Sequence, residues 1–494
     1  MPALRHSFLR KTNLLLLPLL LLTGLLHTGC QDRHVSDDPS LRLRFSSDSV
    51  LFDTVFTGFG SSTQTVMVYN PNRNAVTISD IVLESEWFHI NLDGENDRSL
   101  LHDITLHGGD SLYLFVRVYI PEQNENTPVL VTDTIHFFTN GNRQDVSLMA
   151  YGQDVHVVRS SQRRTDKMDF TFQNNKPWLV FDTMVFRGRA VLPEGTTIYM
   201  HEGANLFFCG GIAAHGSAEH PVRITGDRLD KLFAHVPYQA ASGQWGGIRL
   251  LTAKEDTPHR DTLAYTEILS GNIGLYCTSE QTVSRPHLVL ANCRIHNHAA
   301  YGVVLHNTDA EIWNTEISNC ASYCLYLSGG RHRLTHTTIA SYFGWPHTNL
   351  NIHNTGRDDV AALYINNLDK ESAVTKVHLT NSIVAGSRKN NLVLATALPA
   401  YYEGEFSHNY LQADSLPETC SHDNLYGDIQ DTVFRNTWYR YKEYVYYDFR
   451  PDSISPAIGI GDGSVVQNDP RLHKDRNGLP RSTEKPTAGC YEPE

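Results

Sequence analysis

The sequence predicts an all-β chain in two parts, an antiparallel sandwich followed by a solenoid of short parallel strands. Two observations predict the solenoid. The stretch LVLANCRIHNHAAYGVVL (Leu288 to Leu305) returns as AEIWNTEISNCASYCLYL (Ala310 to Leu327), so that Leu290 falls on Ile312, Asn292 on Asn314 and Ile295 on Ile317, an offset of 22 residues. Within each copy the apolar residues come in short pairs broken by Asn and Gly, never at the i, i+3, i+4, i+7 spacing of a helix. The third observation predicts the sandwich: alternating apolar and polar segments, separated by turn signals, run from residue 45 to 158.

Composition bounds what the chain can do. Its 494 residues are 40% apolar and 19% charged, which is ordinary for a globular protein of two or three domains. Its 41 basic and 54 acidic residues give a net charge of −13, which argues against a nucleic-acid partner.

Taken in order, Arg5, Arg10 and Lys11 precede LLLLPLLLLTGLL (Leu14 to Leu26), a run too short for a comfortable membrane span and broken by Pro18. Residues 1–29 therefore read as a secretory signal. HTGC then resembles the lipobox of bacterial lipoproteins, with His27 where Leu is usual. The resemblance implies that Cys30 becomes a lipidated N-terminus, and several acyl chains make a stable anchor. Residues 30–44 are polar and suit a tether. Their Ser36-Asp37-Asp38 looks like the acidic export signal of Bacteroidota lipoproteins, so the chain is expected in the outer membrane, exposed on the cell surface. Seven further cysteines, an odd number without CxxC metal spacing, read as core thiols rather than a disulfide frame.

Between residues 45 and 158 the segments FSSDSVLFDTVF, QTVMVYNP, AVTISDIVL, SLYLFVRVYI, TDTIHFF and DVSLMAYGQ alternate, with Asn70-Pro71, Gly108-Gly109 and Asn140-Gly141 at turns. Short strands at this density predict an immunoglobulin-like β-sandwich. Residues 159–176 are polar and read as a linker.

The solenoid is expected over residues 177–494. A third copy, HRLTHTTIASYFGWPHTN, keeps Leu334 and Ile339 and puts His336 in the Asn position; a fourth, VHLTNSIVAGSRKNNLVL, restores Asn381 after an insertion. Coils of this length stacking at ~4.8 Å make a parallel β-helix. Asn292, Asn314, His336 and Asn381 would then share one bend, where an inward amide bonds the turn backbone and the amide of the next coil, a structural ladder. VLPEGTTIYMHEGANLFFCGGIAAHGSAEHPVRITGD (Val191 to Asp227), followed by QWGGIRL, resembles the entry coils of right-handed parallel β-helix proteins. SPAIGIGD, NDPRL, KDRNGLPR and AGCYEP resemble the C-terminal coil of secreted β-helix proteins of Bacteroidota. The chain as a whole is thus similar to a Bacteroidota surface lipoprotein with an N-terminal immunoglobulin-like domain and a right-handed β-helix. TWYRYKEYVYYDF (Thr437 to Phe449) reads as a cap on the open end of the core.

Parallel β-helices such as pectate lyases and polygalacturonases act on extended polysaccharides, yet a fold does not fix a function. Lyases of this kind need acidic ligands for Ca²⁺ and a basic proton abstractor, and hydrolases need paired carboxylates. No such set recurs at one coil position: Glu311 has Val289 and Arg333 as neighbours one coil away, and Glu316 has Arg294 and Thr338. The insertion SYFGWPHTNLNIHNTGRDD breaks the period and must protrude. Its Tyr342 and Trp345 offer rings for sugar stacking, and His347, His353, Arg357, Asp358 and Asp359 offer contacts to hydroxyls or uronates. The expected function is binding of an extracellular glycan or a surface protein without turnover, with no metal and no cofactor. The alternatives are a lyase or hydrolase of an extended acidic polysaccharide, in which the lyase would take Ca²⁺, and a purely structural stalk.

Overall fold

The structure is a computed structural model that describes residues 34–92, 95–98, 100–159, 167–233, 236–254, 256–343, 361–367, 372–395, 400, 402–437 and 447–494. It divides into two compact units, Met1–Gln123 with Pro128–Gly152, and Asn124–Thr127 with Gln153–Glu494.

The first unit is built of two five-stranded sheets with antiparallel pairing. The strands Val129–Thr139 and Asn142–Gln153 meet at Asn140-Gly141, where φ is 51° and 73°. Both residues tolerate the left-handed region, so this two-residue loop follows the right-handed twist of the strands it joins. Alternation puts Val66, Val68, Leu114 and Val116 of one sheet and Ile78, Ile135, Phe137 and Leu148 of the other into a single core. The same alternation leaves Tyr113, Phe115, Leu130 and Tyr151 on the outer faces.

In the second unit the strands rotate through three parallel sheets in a fixed order. One coil runs His287–Ala291, Arg294–His298 and Tyr301–His306 on the first, second and third sheets, and the next runs Asp309–Trp313, Glu316–Cys320 and Leu325–Ser328. The first sheet has 10 strands, the second 11 and the third 8. This winding is that of a parallel β-helix. Leu288 pairs with Ala310, Ile295 with Ile317 and Val303 with Leu325, which is the offset of the sequence repeat. Coil length varies elsewhere: Asp261 pairs with Leu288 and Val377 with Gly404, each 27 residues on. Because each inward side chain lies over its equivalent one coil away, Ile268, Ile295, Ile317, Ile339, Val384 and Leu411 form one buried ladder down the second sheet. Truncating one rung to Ala costs about 2–5 kcal/mol. The seven described cysteines are unpaired, and six are buried.

The solenoid begins earlier than the polar composition of 159–176 suggests. His156–Val158 pairs with Trp178–Val180, and Phe170–Thr171 with Ala190–Val191, both in parallel. Strands of two and three residues are too short to leave an alternation that could be read against polar surroundings.

Candidate functional site

Of the residues expected to act, Cys30, Trp345, His347, His353, Arg357, Asp358 and Asp359 lie outside the described residues. Tyr342 is described and half-buried. Its ring meets Phe434 edge-on at 6.0 Å and lies tilted at 6.1 Å from Phe449, and its carbonyl accepts a hydrogen bond from the Tyr447 hydroxyl at 3.3 Å. Tyr342 therefore packs beneath the C-terminal segment, and burial raises its phenol pKa. Of the aromatic stretch Thr437 to Phe449, Tyr447 and Phe449 are described, and both lie against His296 with ring centroids 6.0 Å away.

Asn292, Asn314, His336 and Asn381 do share a bend, between the first and second sheets, and all four are left-handed, with φ of 55°, 47°, 48° and 51°. Asn tolerates this region better than most residues, which is one reason for it here. The side chains do not form the inward ladder. Asn314 donates to the carbonyl of Lys474 at 2.8 Å and accepts from Arg481 at 3.0 Å. Asn381 exchanges two hydrogen bonds with the Asp462 backbone at 3.0 and 2.8 Å, and its second amide hydrogen goes to His336 Nε2 at 3.1 Å. The inward ladder sits one residue further on. Cys293 N–H donates to Thr315 Oγ1 (3.2 Å), Thr337 N–H to Ser382 Oγ (3.0 Å), Ser382 N–H to Asn409 Oδ1 (2.8 Å) and Asn409 N–H to Asn424 Oδ1 (3.0 Å).

The partners of the bend row belong to the C-terminal segment, which folds back over the outer face of the second sheet. That face carries Arg223, Glu267, Arg294 and Glu316 in consecutive coils, then Thr338, Ile383 and Tyr410. Arg223 pairs with Glu267 at 2.9 Å and Arg294 with Glu316 at 3.2 Å. Tyr491 donates to Glu316 Oε2 at 2.5 Å, and Arg476 reaches Glu267 at 3.3 Å and the Cys293 carbonyl at 3.2 Å. Beyond the charges, Ala457, Ala488 and Phe449 pack on Ile383, Ala385 and Tyr410. Burial alone would raise the Glu316 pKa, but Arg294, His296 and Arg476 outweigh it and hold the group at about 2. A carboxylate this acidic, 2% exposed and already bonded by Tyr491 and Ser318, is neither a proton donor nor open to a polymer.

The third sheet offers a different face. Phe207, Arg249, Tyr276, Val304, Tyr326, Tyr364 and Val393 occupy one outward register position in seven successive coils, with Val304, only 5% exposed, between the Phe207–Tyr276 group and the Tyr326–Tyr364 pair. At ~4.8 Å per coil the row extends about 29 Å. The Arg249 guanidinium lies between Phe207 (5.9 Å) and Tyr276 (5.3 Å), and Tyr326 and Tyr364 stack at 5.3 Å with planes 7° apart. Tyr301 and Tyr323 flank the row, with Tyr323 4.6 Å from Tyr364. Asn366 donates to the Tyr326 hydroxyl at 2.7 Å. Phenol rings join an apolar body to a polar tip, chemistry suited to a partner with both apolar and hydroxyl groups. The strand Leu363–Asn366, which holds Tyr364, directly follows the insertion expected to bind. Only the flanking Tyr301 and Tyr323 share the repeat offset; the row itself left no such sign, because Tyr276, Tyr326 and Tyr364 are unevenly spaced along the chain. Among the described residues no group of three His, Cys, Asp or Glu is placed to hold a metal ion.

No family model and no curated protein matches the chain. Among solved structures it is similar to a Porphyromonas gingivalis W83 protein of unknown function, at 11% identity over 27% of this chain and 60% of that one, with a TM-score of 0.18. It is also similar to a family 123 glycoside hydrolase from Clostridium perfringens, at 9% identity over 27% and 31%, TM-score 0.19. A third is the Escherichia coli chaperone DraB, at 13% identity over 23% and 55%, TM-score 0.17. The chain spans less than two thirds of each of these proteins, and scores this low carry no argument about it.

Proposed function

We propose that this chain is a cell-envelope lipoprotein, anchored through Cys30 in the outer membrane of a Bacteroidota-type cell, whose β-helix binds an extended extracellular glycan without turning it over. In this reading the first unit is an immunoglobulin-like spacer and the solenoid is right-handed. The observation that carries the binding role is the outward row of the third sheet, from Phe207 to Tyr364, with tyrosines in register along the solenoid axis. Two aromatic groups in register along one axis, on either side of Val304, suit a linear polymer in a way that single surface aromatics do not. The carboxylates that share an outward row of the second sheet support binding without turnover: Glu267 and Glu316 each pair with arginine and lie beneath the C-terminal segment. Hydrolysis needs one acid that keeps its proton near neutral pH, and a Glu316 held at about 2 is the reverse.

A glycan array with the wild type, a Tyr326→Ala variant and a Trp345→Ala/Asp358→Ala variant tests the reading. Loss of signal in Tyr326→Ala is the expected result. Loss only in the insertion variant would move the site to the insertion, and no signal from the wild type would leave the stalk alternative standing.

A further inference from the structure

The bend row holds one exception. Asn314, His336 and Asn381 engage the C-terminal segment, but the Asn292 carboxamide, at the same φ of 55°, hydrogen-bonds no described residue. One coil earlier the row position is Tyr265, also left-handed at φ 44°. A bulky aromatic in that region is an outlier, because Cβ crowds its own carbonyl and nothing in the side chain compensates. The coil does not need it: the later bends use Asn, His or Asp, and the Tyr265 hydroxyl has no partner among the described residues. Strain kept where packing does not demand it points to a role for the side chain.

Both residues open into a cleft of about 240 Å³ between the coil bends and the C-terminal segment, lined also by Ser217, Glu267, Arg476 and Asn477. Its volume is below the roughly 300–1,000 Å³ of pockets that take drug-sized molecules, so it suits a single ring. Glu267 is held ionised: burial opposes this, but Arg223, Arg476 and Arg294 prevail. The two nearest guanidiniums, Arg223 and Arg476, are both bonded to that one carboxylate. Among the described lining residues no cation is therefore left to draw in a carboxylate or phosphate. What the cleft presents is a phenol ring and hydroxyl, an amide with donor and acceptor both open, and a preset carboxylate–guanidinium pair that can accept from one of two adjacent hydroxyls and donate to the other.

We propose that this cleft binds one neutral pyranose ring, such as a terminal or branch hexose, with Asn292 and the Glu267–Arg476 pair on its hydroxyls and Tyr265 against its apolar face. The assignment rests on the glycan reading above only for the source of the sugar.

The test uses the full chain and a panel of methyl hexopyranosides, with binding read by saturation-transfer NMR and calorimetry. Asn292→Gly is the informative variant, because Gly takes the bend freely and only the amide is lost. It should melt as the wild type does and bind the preferred hexoside at least about tenfold more weakly, the equivalent of one or two polar contacts. Tyr265→Asn should melt higher than the wild type, since strain is relieved, and lose hexoside binding. Tyr113→Ala, on the outer face of the first unit and 52% exposed, should leave hexoside binding unchanged. A wild type that binds polymer but no hexoside, or an Asn292→Gly variant with undiminished affinity, overturns the proposal and leaves the sheet-face reading intact. Hexoside bound in the cleft by a protein that retains no polymer upholds it and sinks that reading.

Discussion

Arg481 is the residue on which the C-terminal segment should depend most. Its side chain is 0% exposed and sits among Glu492 Oε1 at 2.9 Å, His336 Nδ1 at 2.9 Å and Asn314 Oδ1 at 3.0 Å, with the carbonyls of Thr487 and Gly489 at 3.3 Å. Arg481→Met fills much of the same volume and removes every donor. Losing one partner of a buried ion pair costs about 3–5 kcal/mol, and an orphaned Asn314 oxygen adds about 1–3 kcal/mol. The two losses share one site and will not add fully, so about 5 kcal/mol is expected. Most of this is the penalty of an uncompensated Glu492, whose pKa burial already raises. Neutralising it in Arg481→Met/Glu492→Gln should therefore recover about 2 kcal/mol or more. The single variant's deficit against the wild type should also shrink between pH 7 and pH 5, because a carboxyl with a raised folded-state pKa takes up its proton more readily in the folded state. Urea unfolding read by tryptophan fluorescence gives all three comparisons. A loss under about 1 kcal/mol, or a double variant no more stable than the single, would refute the claim that this buried cluster clamps the segment.

Three further outcomes are expected. His298, His332 and His336 are buried, and burial holds the first two at about 4 and the third well below its ordinary 6.5. The unfolded chain thus binds protons that the folded one refuses, so stability is intact above pH 6.5 and falls below it, by about 2 kcal/mol per histidine at pH 5; a urea midpoint unchanged between pH 7 and pH 5 would contradict this. Asn314→Gly keeps the left-handed bend but frees Lys474 and Arg481, and should lower stability by about 1–3 kcal/mol, in contrast to Asn292→Gly, as thermal melting will show. Cys30→Ala should move the expressed protein from the detergent to the aqueous phase on Triton X-114 partitioning, and unchanged partitioning would remove the lipid anchor from the account.

The sequence exposes the parts of this fold that repeat. Because stacked coils superpose equivalent residues, Ile295, Ile317 and Ile339 pair as the offset predicts, and the lack of an acidic partner for Glu311 and Glu316 is visible in the letters. The bend row was visible too, but the role of its side chains was not. Tolerance of a left-handed bend and an inward amide ladder both select Asn, and the ladder itself, running through Cys293, Thr315, Thr337, Ser382 and Asn409, is chemically too mixed to stand out. The C-terminal fold-back leaves no periodic trace. Contacts such as Arg481 to Asn314, 167 residues apart, or Arg476 to Glu267, 209 apart, depend on tertiary packing rather than on spacing. Tyr265 escaped notice because its coil is 27 residues long, which takes it out of register with the 22-residue copies (265 to 292, then 292 to 314).

The central claim, binding along the third sheet without turnover, is tested most directly by incubating the wild type and a Tyr326→Ala/Tyr364→Ala variant with each polysaccharide that the wild type retains. Bound fraction and polymer length are then measured on the same samples over an extended incubation. The account predicts retention by the wild type, loss of retention in the variant, and polymer length unchanged in both. Shortened chains, with new reducing ends or the ultraviolet absorbance of unsaturated ends, would contradict it, as would full retention by the variant.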